Sequence, residues 1–566
     1  MSKIKFCALG GLGENGKNLY VVTVDEKIFV LDAGIKYPSV DLYGIDAVMP
    51  DFEYLVSNKD KIIGIFLSHG HEENCGAIVE LLNAIHVPVF GSHFTISVVE
   101  QIMLDKGIDK SHYKLFRIND NKTLTYDNVT VSFFYTTHSV PESLGISINT
   151  DDGSIVYASD FSFSFTKDYN YQTSFNKISE ISKNNVLLLC AESLGVNNIN
   201  RDNNDYTFNH VITEALQIKK RIIFAMYSTD LNRVQKVVDM CVKNGRRIAI
   251  IGRKVQRIIN VAMSTNYLKI PQENLVNLKF LDENNTNEED DLAIIITGLR
   301  HEPYFMLQRM MTNQDKLIKL TEDDTVVTIC PPVVGTEKIA TRAIDQLSKT
   351  GCKVINISRK VLKSSHADSE DLKMLYQILK PLYVCPVMGE YRHQYVHKNI
   401  AIDAGFTEDK VLVIDNGVEI TFEDGLLLDH VEKIPVSDVL VDGSIVGDIN
   451  EIVLKDREQL SEQGAMIVVT NIDVRSREII SGPSVYTKGF ISLYEMDELL
   501  EKVANKAEKV IRKTLSEKKS DMELDWNDLK NELKDNCTRV VKSLSKKSPI
   551  IIPVIIDING EDLWDI

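Results

Sequence analysis

The chain has 566 residues, of which 44% are hydrophobic and 26% charged, and its formal net charge at pH 7 is −17. At roughly 150 residues per domain, this length predicts about three or four domains with sizeable cores. The acidic balance disfavours a uniformly basic surface, so a nucleic-acid partner would need a local basic groove. No apolar run approaches the roughly 18 residues that span a bilayer, and the N-terminus MSKIKFCALGG lacks the apolar core of a signal peptide.

The first 165 residues or so read as short strands with few helices, for example IFVLD, IIGIFL, VTVSFFYT and SIVYA. Near the start, Gly11 to Gly16 fits G-x-G-x-x-G and follows a strand. A dinucleotide site would require a helix next, but NLYVVTV follows, an alternating β-branched pattern. The motif therefore favours a glycine-rich hairpin over a dinucleotide site. Because a P-loop motif is also missing from the sequence, we expect no nucleotide cofactor.

Polar side chains follow several of these strands. His69 and His71 stand one residue apart after IIGIFL, His138 follows VTVSFFYT, and Asp160 follows SIVYA. A single histidine at a strand end is usually structural, but these four groups, two of them as H-x-H, favour a metal centre. Asp32 closes IFVLD and has two open interpretations. It is either a turn residue or a carboxylate that orients a ligand imidazole.

The middle and C-terminal parts change in pattern. Between about residues 205 and 350, the segments RIIFAMY, RRIAIIG, DLAIIITG and DTVVTIC each precede a helical pattern, which predicts parallel β-α units and an inserted α/β domain. From Cys352 to Ile414 the pattern is again strand, helix, strand. A last unit from about residue 450 contains MIVVTNID, a charged helical stretch from Glu495 to Ser545, and IIIPVIIDI. The cysteines have no CxxC spacing and indicate reduced thiols in the cytosol: Cys7, Cys75, Cys190, Cys241, Cys330, Cys352, Cys385 and Cys537.

The strand-end histidines resemble the metallo-β-lactamase signature H-x-H-x-D-H with a later His and a later bridging Asp. The motifs LLLCAESLGV, MYSTDLNRVQ, IIGRKVQR, ITGLRHEP, PPVVGTEK, KSSHADSEDL, PVMGEYRH and VDGSIVGDINEIVLKDREQLSEQG resemble the ribonuclease J family, and the substitutions resemble its degenerate second paralogue. The resemblance implies an α/β fold, an αββα metallo-β-lactamase sandwich with an inserted β-CASP α/β domain and a C-terminal α+β domain. The implied limits are 1–205 and 351–448 for the metallo-β-lactamase domain, 206–350 for the β-CASP domain, and 449–566 for a C-terminal oligomerisation domain.

The resemblance also assigns the metal ligands. One ion, zinc or manganese, would be held by His69, His71, His138 and Asp160. A second ion would need an Asp, a His and a His, where this chain has Glu73, Asn74 and Met388. The extra methylene of Glu73 misplaces the carboxylate, the amide of Asn74 is a poor exchange for imidazole, and a thioether suits soft metals. We therefore expect at most one tightly bound ion per chain.

The same resemblance names further functional residues. Glu192 (Asp in the usual pattern), His366 and Glu73 belong to the expected catalytic set. The stretch Leu362-Lys363-Ser364-Ser365-His366 is expected to contact RNA phosphate, with Ser365 in place of the usual Gly. Another interpretation is that Ser365 to Asp368 cap the helix predicted at DLKMLYQILK, and the two are compatible because a helix N-terminus binds anions.

The implied function is that of a cytoplasmic ribonuclease J paralogue with weak or vestigial 5′-3′ exonuclease and endonuclease activity. Its expected substrate is 5′-monophosphorylated single-stranded RNA, in messenger RNA decay and ribosomal RNA processing. A homodimer or a hetero-oligomer with an active paralogue is expected, with no membrane partner. Two alternatives remain: a catalytically dead structural or RNA-binding subunit, and a small-molecule hydrolase, a class that shares H-x-H but lacks the inserted domain.

Overall fold

The structure is a computed structural model that describes residues 2–39, 42–164, 166, 168–198, 204–252, 256–278, 290–333, 335–443, 445–447, 451–490, 496–517 and 525–558. The chain divides into two compact units. The first comprises Met1–Tyr37 and Ala47–Val439, and the second comprises Pro38–Asp46 and Leu440–Ile566. Within the described residues, every helix is too short or too polar to cross a membrane. All eight cysteines are buried and free.

The strands, in chain order, are β1 Lys3–Gly10, β2 Leu19–Val24, β3 Lys27–Leu31, β4 Ala47–Pro50, β5 Ile62–Phe66, β6 Val89–Gly91, β7 Leu115–Arg117, β8 Thr123–Tyr126, β9 Val129–Thr136, β10 Ser143–Thr150, β11 Gly153–Ala158, β12 Val186–Glu192, β13 Ile222–Tyr227, β14 Arg247–Ile251, β15 Leu292–Gly298, β16 Thr325–Thr328, β17 Lys353–Asn356, β18 Tyr383–Val387, β19 Val418–Glu423, β20 Leu426–Leu427, β21 Glu432–Lys433, β22 Asp438–Asp442, β23 Ile445–Val446, β24 Ala465–Asp473, β25 Glu478–Lys488 and β26 Ile550–Asp557.

The α-helices are α1 Glu53–Ser57, α2 Glu72–Cys75, α3 Ile78–Ala84, α4 His93–Asp105, α5 Phe175–Ile181, α6 Asn204–Leu216, α7 Leu231–Lys243, α8 Gln256–Ser264, α9 Glu302–Met311, α10 Glu337–Ser348, α11 Ser369–Leu379, α12 Tyr391–Asp403, α13 Glu451–Gln463, α14 Met496–Glu517 and α15 Trp526–Ser545. The predicted helical stretch from Glu495 to Ser545 thus holds two helices. Glu495 itself and residues 518–524 lie outside the described residues.

Two sheets form the sandwich that carries the site. One runs in the order β20-β19-β1-β2-β3-β5-β6-β7, and the other in the order β18-β12-β11-β10-β9-β8. Side chains of both sheets share one buried cluster, which includes Phe6, Phe66, Phe133 and Tyr157. The outer faces pack against helices, α3 and α4 on one side and α5 and α11 on the other. This is the αββα arrangement that the sequence predicts, and burial of strands on both faces explains their apolar runs.

The inserted domain is a parallel sheet in the order β14-β15-β13-β16-β17, flanked by helices. Its strands alternate with α7 to α10 along the chain, as the sequence pattern predicts. In the second unit, β25, β24 and β26 form a sheet whose buried face packs against α14 and α15. The fold class predicted from the sequence is confirmed.

The glycine-rich motif joins two antiparallel strands. The strand β1 ends at Gly10, and β2 begins at Leu19, with direct pairing between the two. The turn after β3 approaches α2 closely: a Cβ on Gly34 would lie 1.6 Å from the Glu73 carbonyl oxygen, so only glycine fits there. The hairpin interpretation of the motif agrees with the structure.

Candidate active site

Four side chains converge where strands of both sheets end. His69 follows β5, His71 caps the N-terminus of α2, His138 follows β9 and Asp160 follows β11. His69 Nε2 lies 3.0 Å from His71 Nδ1 and 3.2 Å from Asp160 Oδ2, and His138 Nε2 lies 3.3 Å from His71 Nδ1. The four ligand atoms all lie within 4.8 Å of one another. The structure therefore brings together the whole predicted first set.

The donor set fits a metal ion. Burial lowers the pKa of His71 to about 3, with the neighbouring His69 charge acting in the same direction, and burial also lowers the pKa of His138 well below its ordinary value. The lowered pKa values favour neutral imidazoles at His71 and His138, and the ring nitrogens that face one another at this spacing offer more lone pairs than protons. A cation at their centre satisfies all of them together with the Asp160 carboxylate, as in three-histidine, one-carboxylate metal sites.

The outward-facing ring nitrogens have their own partners. His71 Nε2 lies 3.0 Å from the Thr229 carbonyl oxygen, and His138 Nδ1 lies 2.9 Å from the Ser365 carbonyl oxygen. Because a carbonyl can only accept, each of these nitrogens carries the proton. This fixes the tautomer that leaves the inner nitrogen free to bind a metal. Thr229 lies in the loop after β13, so the inserted domain helps to orient a ligand.

Asp32 lies in a turn and is also connected to His69 through Ser68. Its φ of 61° is that of a tight turn, and its fully buried carboxylate accepts hydrogen bonds from Ser68 N at 2.7 Å and Ser68 Oγ at 2.9 Å. Ser68 Oγ in turn lies 3.0 Å from His69 Nδ1. Asp32 therefore acts on His69 through Ser68 and does not contact the imidazole directly. Burial raises the pKa of Asp32, and the nearby His69 opposes that rise.

The positions expected to hold a second ion are occupied differently. Asn74 is fully buried, and its amide nitrogen donates to Asp32 Oδ2 at 2.7 Å. Burial raises the pKa of Glu73 to about 7. Met388 is fully buried within the cluster shared by the two sheets, at a φ of 59°. Among the described residues, Glu73 belongs to no group of three or more histidine, cysteine or carboxylate side chains with ligand atoms within 4.8 Å of one another.

A second polar group lies beside the first. His366 Nδ1 lies 2.9 Å from Glu192 Oε2 and 3.0 Å from Asp160 Oδ1. Burial alone would lower the pKa of His366, but the carboxylates of Glu192 and Asp160 hold it well above its ordinary value. Glu192 Oε1 accepts from the backbone N–H groups of Phe161 and Ala367 at 2.8 and 3.0 Å. Asp160 thus joins the candidate metal-ligand cluster to an acid–imidazole pair.

The stretch from Leu362 to His366 leads into this pair, because His366 is its last residue. Leu362 is buried, whereas Lys363 is exposed and its carbonyl oxygen accepts from Arg233 Nη2 at 2.9 Å. Ser364 Oγ accepts from Asn198 Nδ2 at 2.9 Å. Helix α11 begins at Ser369 with Asp368 as its N-cap, closed by a capping box with Asp371. The cap is therefore Asp368, and Ser365 instead presents its carbonyl to His138.

Sequence reasoning missed several supporting residues. Ser68 links Asp32 to His69, Thr229 orients His71, and Tyr157 OH donates to Asp32 Oδ2 at 2.7 Å. Ser68 has a sequence signal, a hydroxyl directly before H-x-H. Thr229 acts through its backbone, and Tyr157 is one of six buried residues in strand β11, so nothing in the local sequence marks either one.

Family models match most of the chain. The Metallo-beta-lactamase superfamily matches residues 12–189 and the Ribonuclease J beta-CASP domain matches 219–347. The Zn-dependent metallo-hydrolase RNA specificity domain matches 355–409 and the Ribonuclease J C-terminal domain matches 452–558. The domain limits given above stay a prediction, and the limit at 448 and 449 lies outside the described residues.

Known proteins resemble the chain over nearly its full length. Ribonuclease J2 of Bacillus subtilis (strain 168) is 34% identical over 556 residues, covering 98% of this chain and 99% of the relative. Ribonuclease J 2 of Staphylococcus aureus (strain NCTC 8325 / PS 47) is 33% identical over 556 residues, covering 98% of each. A crystal structure of a protein of unknown function from Enterococcus faecalis V583 has a TM-score of 0.51 at 14% identity, covering 74% of this chain and 100% of that one. That last similarity shows the fold alone.

The sandwich, its inserted domain and the cluster of imidazoles and carboxylates define a metallo-hydrolase of the metallo-β-lactamase class. The two ribonucleases are similar to this chain along almost its entire length, and this similarity identifies the family within that class. The chain belongs to the ribonuclease J family, a family of RNA-acting, metal-dependent ribonucleases.

Proposed function

We propose that this ribonuclease J family member hydrolyses 5′-monophosphorylated single-stranded RNA weakly, as a 5′-3′ exonuclease and endonuclease with one tightly bound zinc or manganese ion. The observation that carries the proposal is the contrast between the two ligand sets. The ligand atoms of the first set lie close together, namely those of His69, His71, His138 and Asp160. At the second set, Asn74 donates a hydrogen bond to Asp32, and Met388 is buried in the hydrophobic core.

The contrast has a chemical consequence. Two-metal phosphodiester hydrolysis uses two ions to stabilise the attacking and leaving oxygens, and removal of one electrostatic contact commonly costs about 10²–10³ in rate. Glu192 and His366 remain assembled beside Asp160 and supply proton transfer in this proposal. Residual turnover is therefore expected to be orders of magnitude below that of a family member with both sets intact.

The test is cleavage of a 5′-monophosphorylated RNA by the purified protein in manganese, compared with an intact family member. The double variant His71→Ala/Asp160→Ala should abolish the residual activity. His112→Ala/Asp109→Ala is a matched control, because these two residues form an exposed pair, 3.9 Å apart, in the turn before β7. A wild-type rate equal to that of the intact family member would contradict the proposal.

A second candidate function is a non-catalytic subunit that binds RNA or positions an active paralogue. It is favoured by Asn74, whose fully buried amide serves the Asp32 hydrogen-bond network. Function in the cell that survives the His71→Ala/Asp160→Ala change would favour this candidate, and residual cleavage that also survives would show that the cleavage does not arise at this site.

The cellular setting belongs to the proposal as well. We place the protein in the cytoplasm, in messenger RNA decay and ribosomal RNA processing, as a homodimer or as a hetero-oligomer with an active ribonuclease J paralogue. Matches to an RNA specificity domain and to the ribonuclease J C-terminal domain support the role in RNA processing. The stretch from Leu362 to His366 is proposed to contact RNA phosphate, with Lys363 as its exposed cation.

A further inference from the structure

Two tyrosine rings are stacked in the open on helix α12. The side chains of Tyr391 and Tyr395 are 60% and 51% exposed, and their ring centroids lie 6.5 Å apart at an interplanar angle of 28°. Tyrosine normally covers its ring with other side chains, because the ring is large and apolar. A pair that stays exposed presents aromatic faces to a partner from outside the fold.

The position of the pair places it next to the candidate active site. Strands β11, β12 and β18 are parallel neighbours, so their carboxyl ends lie along one edge of the sheet. Asp160 follows β11, Glu192 ends β12 opposite Val387, and Met388 follows β18. Helix α12 begins at Tyr391, only three residues after Met388. The N-terminus of α12, with Tyr391 as its first residue and Tyr395 one turn further on, therefore begins at the same sheet edge as the carboxylates of the candidate site.

The start of α12 is held rigidly. The backbone N–H of Glu390 donates to His393 Nδ1 at 3.2 Å, which forms a capping box. The preceding turn pairs with the glycine-rich motif, through bridges between Gly13 and Glu390 and between Glu14 and Gly389. A platform fixed from both sides loses little conformational entropy when a flat ligand stacks on it.

We propose that Tyr391 and Tyr395 form a stacking platform for a nucleobase of the RNA strand that enters or leaves the site. The inference deepens the proposed function and rests on RNA being the ligand of this site. A nucleobase fits the observations because every base offers a π-face to an exposed aromatic ring, whereas phosphate contacts require cations. Arg392 and Lys398, the cations of this helix, are engaged with Glu390 and Glu408 at 2.6 Å. Both cations already have carboxylate partners, so the proposal rests on the aromatic faces.

The test is binding of a short 5′-monophosphorylated single-stranded RNA to the full chain without added metal, with intact RNA confirmed after the measurement. Tyr391→Ala/Tyr395→Ala should weaken binding by about tenfold, since stacking contributes roughly 1–3 kcal/mol per base. Tyr391→Phe/Tyr395→Phe, which keeps both rings, should bind like wild type. Tyr486→Ala, which removes a 61% exposed tyrosine from the second unit, is the matched control.

Oligonucleotides with one abasic site complete the test. If the platform holds a base, one abasic position should weaken wild-type binding about as much as the alanine variant does, and the two changes together should add little. A folded alanine variant that binds the intact RNA within twofold of wild type would overturn the platform alone. A wild-type chain that binds no RNA would overturn the RNA ligand as well, so the two failures are distinguishable.

Discussion

The amide nitrogen of Asn74 donates a 2.7 Å hydrogen bond to Asp32 Oδ2, and this bond joins helix α2 to the turn after β3. Ser68 and Tyr157 donate to the same carboxylate. A fully buried carboxylate is stabilised by such donors, because it has lost the hydration that it has in water. Asn74, at the position where the family resemblance predicts a metal-binding histidine, therefore has a structural role of its own.

The first prediction concerns this bond. Asn74→Ala removes one donor from a buried carboxylate, and we expect the free energy of unfolding to fall by about 2 kcal/mol. The measurement is urea denaturation followed by circular dichroism. Asn83→Ala is the control, because Asn83 is exposed and its Oδ1 accepts only the Tyr113 hydroxyl at 3.0 Å. Equal losses in the two variants would show that the Asp32 bond adds no particular stability.

The second prediction restores the second ion. The triple variant Glu73→Asp/Asn74→His/Met388→His should bind two manganese ions per chain and cleave RNA at least about tenfold faster than wild type. The backbone at Met388 permits the change, since a φ of 59° is tolerated by histidine better than by β-branched residues. Metal content by atomic emission and initial cleavage rates are the two measurements.

The single reversals are the controls for that variant. Asn74→His loses the bond to Asp32 without completing a ligand set, and Met388→His places an unpaired imidazole among apolar side chains. Each should bind one ion at most and be less stable than wild type. A single variant that binds two ions would show that one substitution alone accounts for the loss of the second metal site.

The third prediction concerns the support of His69. Ser68→Ala breaks the link from Asp32 to His69 Nδ1, and outer contacts of this kind commonly contribute about 10–100-fold to metal affinity. Manganese titration by calorimetry should show a loss in that range. Ser97→Ala, which removes an exposed hydroxyl that bonds to the His93 carbonyl oxygen, should leave the affinity unchanged. An unchanged affinity in Ser68→Ala would place the orienting role elsewhere.

Part of this site was predictable because its residues lie next to one another in sequence or at strand ends. The H-x-H pair after IIGIFL and Asp160 after SIVYA follow from the alternation of strand and loop. Thr229 was not predictable, because it acts through a carbonyl that only the tertiary fold brings to His71.

Helix α4 was not predicted from the sequence, because its residues FTISVV are rich in β-branched and aromatic types that suit a strand equally well. Its Ser92 cap, which accepts from Thr95 N, sets the helix start, and packing of one face onto the core sets the rest.

The last prediction is a pH dependence of stability that originates at His397. Its imidazole is fully buried, with Nδ1 3.0 Å from Ser193 Oγ and Nε2 2.6 Å from the Tyr376 hydroxyl. Burial lowers its pKa from 6.5 to about 3. The unfolded chain therefore takes up a proton below pH 6.5 that the folded chain refuses. The stabilisation is complete above pH 6.5 and is lost progressively as the pH falls toward 3.

At pH 5 we expect the free energy of unfolding to be lower by about 2 kcal/mol. This pH lies about 1.5 units below the pKa of the histidine in the unfolded chain, and one unit corresponds to about 1.4 kcal/mol. His397→Gln cannot titrate, so its free energy of unfolding should fall by about 2 kcal/mol less than that of wild type between pH 7.5 and pH 5. Other buried histidines contribute equally in both proteins, and the difference between the two pH profiles isolates His397. Parallel profiles would show that the imidazole of His397 takes up its proton in the folded state as readily as in the unfolded chain.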